Sequence, residues 1–242
     1  TGKDRFDLDR RHIGKVRIDQ PGIEILTQGI GIESNPVFTG DQNTIAYLSS
    51  TAQRPVLPAI MNSNGKSHRV LCEDLIPADF PQKQLISPKH ITFKAADGQT
   101  VYGQLFESKN PSSAKRPAIV YVHGGPQRQM LLGWHFMDYY SIDYALNQYL
   151  TSLGFTVLSV NYRLGIGYGF KFQKAINAGA LGASEYQDVK AAGEWLAAQP
   201  GIDPERIGIY GGSYGGFLVA LALGKDSKLF AAGVDIHGVN NR

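Results

Sequence analysis

Ile207-Gly208-Ile209-Tyr210-Gly211-Gly212-Ser213-Tyr214-Gly215-Gly216-Phe217-Leu218 is the stretch that decides how this chain folds. Its first four residues have the composition of a strand. From Gly216 to Leu223 the small and apolar residues suit a helix. Between them lies a G-x-S-x-G motif, Gly211 to Gly215. Five residues with three fixed positions recur by chance, and alone they read equally well as a tight glycine turn. Their position directly between a strand and a helix is what a nucleophile elbow requires. Such an elbow holds Ser213 in a strained conformation at the tip of a sheet, with its Oγ projecting outward. Gly211 and Gly215 leave room for strand and helix to meet sharply. Ser213 is therefore the candidate nucleophile.

A serine that attacks a carbonyl needs hydrogen-bond donors for the oxyanion that forms. Working upstream, His123-Gly124-Gly125-Pro126 follows Ala118–Val122, an unbroken apolar run of the kind buried on both faces of a sheet. The backbone N–H groups of Gly125 and Tyr214 are the expected donor pair, with Gly124 in the same loop. The alternative is a Gly-Gly-Pro turn with no catalytic duty. His123 reads as a support of this loop rather than a general base, because it precedes the serine and the base of this arrangement follows it.

Farther out, the chain divides in two. Residues 1–84 show short β-rich runs (Val16–Ile18, Ile23–Thr27, Val37–Thr39, Thr44–Leu48, Val56–Met61, His68–Leu71) separated by turn compositions such as Gly40-Asp41-Gln42-Asn43 and Asn62-Ser63-Asn64-Gly65. This half is predicted all-β. From 85 to 242 strands alternate with helices, as in an α/β protein with a parallel sheet. Ile91–Phe93 and Tyr102–Leu105 flank the turn Ala96-Asp97-Gly98 and predict an opening hairpin. A helix over Tyr144–Leu153 would bury Leu146, Tyr149, Leu150 and Leu153 and stop at Gly154. The strand Phe155–Val160 follows. Ser184 and Gln187 have the spacing of a capping box for a helix with the stripe Tyr186, Val189, Ala192 and Leu196. Ala231–Ile236 reads as the last strand.

The 242 residues are 43% hydrophobic and 19% charged, ordinary for a globular chain, and 24 basic against 21 acidic residues give a net charge of +3 without a basic run. Nothing in that pattern points to nucleic acid. Cys72 is the one cysteine, so there is no internal disulfide framework and no cysteine-based zinc site. No metal is expected, since the six histidines lack ligand spacing. No apolar run approaches a membrane span, and Thr1 to Arg5 lacks the apolar core of a signal peptide. Cytoplasmic and periplasmic locations both stay open. Gly165-Ile166-Gly167-Tyr168-Gly169 lacks the third glycine of a dinucleotide fingerprint, so no cofactor is expected. Trp134, Phe136, Tyr139, Tyr140 and Tyr144 form an irregular aromatic cluster, read as packing in preference to a wall of a substrate pocket.

With these motifs in place a resemblance becomes visible. Val122-His123-Gly124-Gly125-Pro126, Val160-Asn161-Tyr162-Arg163 with Gly167-Tyr168-Gly169, and Gly211 to Gly216 resemble the prolyl oligopeptidase family, above all its bacterial dipeptidyl-peptidase and acylaminoacyl-peptidase-like members. Leu26-Thr27 and Pro36 through Ser49 resemble one of its propeller blades. The resemblance implies a partial α/β-hydrolase domain preceded by the end of a β-propeller. It also implies a serine peptidase that cleaves short peptides by acyl transfer through Ser213, with Gly125 and Tyr214 at the oxyanion. Histidine at position 123 is nearer the acylaminoacyl branch than the dipeptidyl-peptidase branch, where a tyrosine stands. His123, His237 and Val239 become candidates for the lining of the substrate pocket, and Arg163 reads as a structural ion-pair partner. The partner implied is an oligopeptide; a homo-oligomer is left open.

The order of a hydrolase triad is Ser, then an acid, then His. Only 29 residues follow Ser213, and they hold Asp226, Asp235 and His237. Asp235 and His237, two apart on a predicted strand, would share one face and could not converge on Ser213 from separate loops. The 84 residues of the β-rich half supply at most about two blades of roughly 40–50 residues each. The sequence thus reads as a fragment that lacks the triad acid and base and is inactive as it stands. Two further functions remain on these residues. One is an esterase on the same core, which has no need of a propeller; the other is an inactive binding or scaffold protein.

Overall fold

The computed structural model describes residues 7–108, 115–181 and 183–240; the stretch Thr1–Arg5 lies outside them. Contacts divide the chain into two compact units, residues 1–87 with 131–144, and residues 88–130 with 145–242.

In the first unit, β1 (Gly14–Lys15) pairs with β2 (Glu24–Ile25). β3 (Ile32–Phe38), β4 (Thr44–Ser50), β5 (Leu57–Asn62) and β6 (Arg69–Val70) form an antiparallel sheet in sequence order. β3 starts five residues before the run expected at Val37. Backbone pairing with β4 carries it through the polar Glu33 and Ser34, with a shift in register before Val37 where Asn35 has φ 54°. Val16 and Ile18, expected in a strand, are exposed and lie outside β1. Ile45, Tyr47, Ala59 and Met61 close the core of this unit.

Residues 131–144 belong here too, which a single cut at residue 84 does not anticipate. Leu132 N–H donates to Asp9 C=O (3.0 Å) and Trp134 N–H to Thr51 C=O (3.1 Å). Ser50 Oγ donates to Trp134 C=O (2.7 Å) and Tyr144 Oη to Ala52 C=O (2.8 Å). Of the aromatic cluster, Trp134 packs against Phe80 and Tyr144, Arg11 lies over Phe136, and Tyr139 is exposed.

The second unit is a six-stranded mixed sheet in the order β12-β11-β9-β10-β8-β7. β7 (Lys89–Lys94) and β8 (Thr100–Phe106) form the expected hairpin, and β8 runs antiparallel to β10 (Thr156–Asn161). β9 (Arg116–Val122), β10, β11 (Ile202–Gly212) and β12 (Ala232–Ile236) are parallel. Helices α1 (Asp138–Ser152), α2 (Phe170–Gln173), α3 (Tyr186–Ala197) and α4 (Tyr214–Lys225) connect them. β10 is buried along its length, as a strand covered on both faces must be. From β10 the chain crosses back over β9 to form β11. The carboxyl ends of β9 and β11 therefore meet at a switch point, where open sheets of this class place their sites. Among the described residues no helix is long and apolar enough to cross a membrane.

Two sequence-based expectations are corrected here. The stripe Tyr186, Val189, Ala192 and Leu196 of α3 is buried, but the helix has Glu185 at its N-cap and no side-chain cap bond, so the box at Ser184 does not form. In α1 the inward positions are Tyr144, Asn147, Gln148 and Thr151, while Tyr149 and Leu153 are exposed. Hydrogen bonding overrides apolar spacing, since Tyr210 Oη donates to Asn147 Oδ1 (2.7 Å) and Thr151 Oγ1 to Asn147 C=O (2.8 Å). Leu146 and Leu150 instead line an apolar hollow of about 560 Å³ with Ile119, Phe155, Val234 and Ile236.

Two outcomes follow. β12 is an edge strand with Val234 exposed, so the isolated chain should self-associate. Val234→Lys should raise its soluble monomer fraction in size-exclusion chromatography. In the first unit, His12 Nδ1 lies 2.8 Å from Glu33 Oε2 and Nε2 lies 3.3 Å from Asp7 Oδ2. The bond to Glu33 raises the imidazole above its ordinary value of about 6.5, against the opposing effect of burial. This stabilisation is complete below that value and is lost as pH rises through the higher folded value. Denaturant midpoints of the chain should fall across that window, and Glu33→Gln should flatten the dependence.

Candidate active site

β11 ends at Gly212, α4 begins at Tyr214, and Ser213 between them has φ 56° and ψ −117°, a conformation that costs a non-glycine residue roughly 1–3 kcal/mol. The fold holds it there from both sides. Ser213 N–H donates to Ile236 C=O (3.0 Å) across the β11–β12 pairing, and Ser213 C=O accepts from Val239 N–H (3.3 Å) and Phe217 N–H (3.2 Å). Only a residue without Cβ fits two positions on. A Cβ on Gly215 would collide with the Val122 carbonyl oxygen at the end of β9. No hydrogen bond joins Ser213 to an imidazole among the described residues.

The loop after β9 closes on this elbow. A Cβ on Gly124 would lie 2.9 Å from Gly212 O and 3.2 Å from Ser213 Cβ, so the loop backbone rests directly against Ser213. Gly125, with φ 100°, occupies backbone space that L side chains rarely adopt and turns the loop beside Ser213. Tyr214 opens α4, where helix geometry supplies no intrahelical acceptor for its N–H. The expected donors Gly125 and Tyr214 are thus carried by two segments packed against each other at Gly124 and Gly212.

His123 has no accessible surface, so its ring lies under the loop and does not face a pocket. Its Nδ1 hydrogen-bonds Gly124 C=O (2.8 Å), and the ring stacks on Tyr162 at 4.4 Å and 18°. Burial is the main cause that pushes its pKa down to about 4, so it is neutral at pH 7. Tyr162 Oη donates to His123 C=O (2.8 Å).

Past β12 the placement of His237 on a strand is corrected. The strand ends at Ile236 and His237 follows it, exposed, with φ 44°. Asp235 ties the turn behind it, with Oδ1 accepting Gly238 N–H (2.7 Å) and Oδ2 accepting Asn240 Nδ2 (2.6 Å). The carboxylate is therefore committed to its own loop. Val239 sits beside the elbow through its bond to Ser213.

Arg163 is the structural ion-pair partner the sequence suggested. It donates to Asp188 through Nη2 (2.6 Å) and to Asp97 through Nη1 (2.6 Å). Its backbone N–H also donates to Asp188 Oδ2 (2.7 Å), which clamps the end of β10 to α3. Arg163 holds Asp97 below the usual carboxylate range, while burial outweighs the same guanidinium at Asp188 and raises it. Sequence reasoning missed Glu185. It is fully buried, and its carboxylate accepts the Tyr214 hydroxyl and the Gly179 N–H (3.1 and 3.2 Å). No spacing rule links a glutamate to a serine motif 28 residues later.

Gly124→Ala should push the loop off the elbow. The displacement should show as a denaturant midpoint below that of the unchanged chain. The accompanying loss of stability should stay within about 1–3 kcal/mol.

Known proteins resemble this chain in sequence and in fold. Prolyl oligopeptidase family sequences match residues 140–241. An uncharacterized peptidase, YuxL, of Bacillus subtilis is 33% identical over 165 residues, covering 67% of this chain and 23% of its own length. Dipeptidyl aminopeptidase BIII of Pseudoxanthomonas mexicana is 34% identical over 130 residues, covering 54% of this chain and 17% of its own. The solved structure of an acylaminoacyl peptidase in complex with Z-Gly-Gly-Phe-chloromethyl ketone superposes with a TM-score of 0.70 at 28% identity, over 90% of this chain and 32% of that one. The chain therefore spans a quarter or less of the curated relatives named. Over residues 140–241 it belongs to the prolyl oligopeptidase family.

Proposed function

We propose that this chain carries the nucleophile and oxyanion site of a serine peptidase that hydrolyses short peptides. The observation that carries the reading is Ser213 in its strained elbow with the Gly124-Gly125 loop packed against it. In this reading Ser213 Oγ attacks the peptide carbonyl carbon and its proton passes to an imidazole base. The carbonyl oxygen, now an anion, accepts from the N–H groups of Gly125 and Tyr214. Collapse expels the amine, which takes the proton, and water then releases the acyl group from Ser213. His123 is not that base, because it is buried and its Nδ1 is engaged by Gly124 C=O. His237, exposed just after β12, and Val239, bonded to Ser213, are read as lining of the substrate pocket.

The second unit is read as part of an α/β-hydrolase domain, on the strength of its switch point and elbow. The sheet β3–β6 is read as a propeller blade, since four antiparallel strands in sequence order are what a blade contains. An oligopeptide substrate is supported by the peptidyl chloromethyl ketone held by the acylaminoacyl peptidase.

In the whole natural polypeptide, Ser213→Ala should lower kcat/KM for a chromogenic peptide by about 10³-fold or more. His237→Ala should lower it by less than about 10-fold; a loss as large as that of Ser213→Ala would make His237 the base. Full activity in Ser213→Ala would overturn the reading.

A further inference from the structure

We propose that Glu185 is a positioning residue of this site, holding the Tyr214 ring and thereby the aim of the Tyr214 backbone N–H at the oxyanion. The inference rests on the hydrolytic reading above. Glu185 has no accessible surface, so its carboxylate depends on protein donors in place of water. Two of those donors come from separate segments, the Tyr214 hydroxyl from the elbow and the Gly179 N–H from the loop before α3. A hydroxyl donating to a carboxylate makes a stronger bond than one between neutral groups. The carboxylate itself is fixed by its neighbourhood, since Asp188, three residues on, is clamped by Arg163.

The same ring is held on its faces as well. Tyr214 lies nearly parallel to Tyr162 (15°, centroids 6.5 Å apart) and meets the edge of Phe217 at 5.4 Å. Tyr162 in turn stacks on His123 and donates to its carbonyl. One continuous path, Glu185–Tyr214–Tyr162–His123, thus joins the two segments that carry the expected oxyanion donors. Tyr214 is the residue immediately after the nucleophile, so a ring locked at its hydroxyl and along its faces restrains rotation of the backbone that bears the donating N–H. Preorganisation of this kind is what makes such donors effective, because they need not reorient as charge develops.

The test uses Glu185→Ala, Glu185→Gln, Tyr214→Phe and the Glu185→Ala/Tyr214→Phe double variant in the whole natural polypeptide, with Ser213→Ala as the control on the hydrolytic reading. Each is assayed with a chromogenic peptide, by titration of active sites, by Tm, and by the Ki of a reversible peptidyl trifluoromethyl ketone. We expect Glu185→Ala and Tyr214→Phe each to lower kcat per titrated site by about 10- to 100-fold with KM changed less than about threefold. The Ki of the ketone should rise by the factor by which kcat falls, and the double variant should fall no further than the single ones. Glu185→Gln, which keeps an acceptor for the hydroxyl, should recover part of the loss. Where Glu185→Ala does not fold, Glu185→Gln and Tyr214→Phe decide the question on the same readouts. The proposal is overturned if kcat per titrated site is unchanged and only Tm falls, or if the two single effects multiply in the double variant. Activity retained in Ser213→Ala would instead remove the hydrolytic reading itself.

Discussion

Ser213 occupies backbone space that a serine avoids, and the second unit is arranged so that it cannot leave. A strand must turn into a helix within one residue while a neighbouring strand end and its loop press against the turn. The Val122 carbonyl excludes any side chain at position 215, and the Gly212 carbonyl leaves no room for one at position 124. Pairing of β11 with β12 and the hydrogen bonds from Ser213 N–H and Val239 N–H fix the turn from the other side. Strain of roughly 1–3 kcal/mol persists at one residue only where its surroundings over-determine it. In return Ser213 stands at the end of the sheet, directly beside the loop that carries Gly124 and Gly125.

Buried polar groups organise the region beneath. Arg163, Asp188 and Asp97 join the end of β10, the start of α3 and the β7–β8 turn in one ion-pair network. Breaking such a network by removing one member costs far more than the net worth of the pair, because a buried charge is left behind. Glu185 stands three residues before Asp188 and inherits its position from that clamp. His123 completes the layer as a neutral imidazole, its charge excluded by burial. The polar groups under the elbow thus act as struts, while the groups assigned to chemistry are mostly backbone N–H.

Much of this was legible in the sequence. The G-x-S-x-G motif between a strand and a helix located the elbow, and His-Gly-Gly-Pro after an apolar run located the loop that meets it. Central strands were readable because apolar runs buried on both faces leave an unbroken trace. The hairpin of β7 and β8 and the buried stripe of α3 were equally plain. Less legible were elements whose limits depend on partners. β3 extends through Glu33 and Ser34 because β4 supplies hydrogen bonds, and Val16 and Ile18, both exposed, lie beyond the end of β1. In α1 the bonds that Tyr210 and Thr151 donate to Asn147 turned a polar face inward against the apolar pattern.

Local backbone geometry was therefore determined by the sequence itself: which serine takes the elbow, which glycines flank it, which order of strand, turn and helix. Each of these depends on steric limits that act within a few residues. Only the tertiary structure decided that residues 131–144 join the first unit, that Asp235 is spent on its own turn, and that Glu185 reaches the Tyr214 ring beside Ser213. These depend on groups far apart in the chain meeting across packed elements. The free energy of such a meeting, set by burial and by the partners available, leaves no periodic trace in either segment.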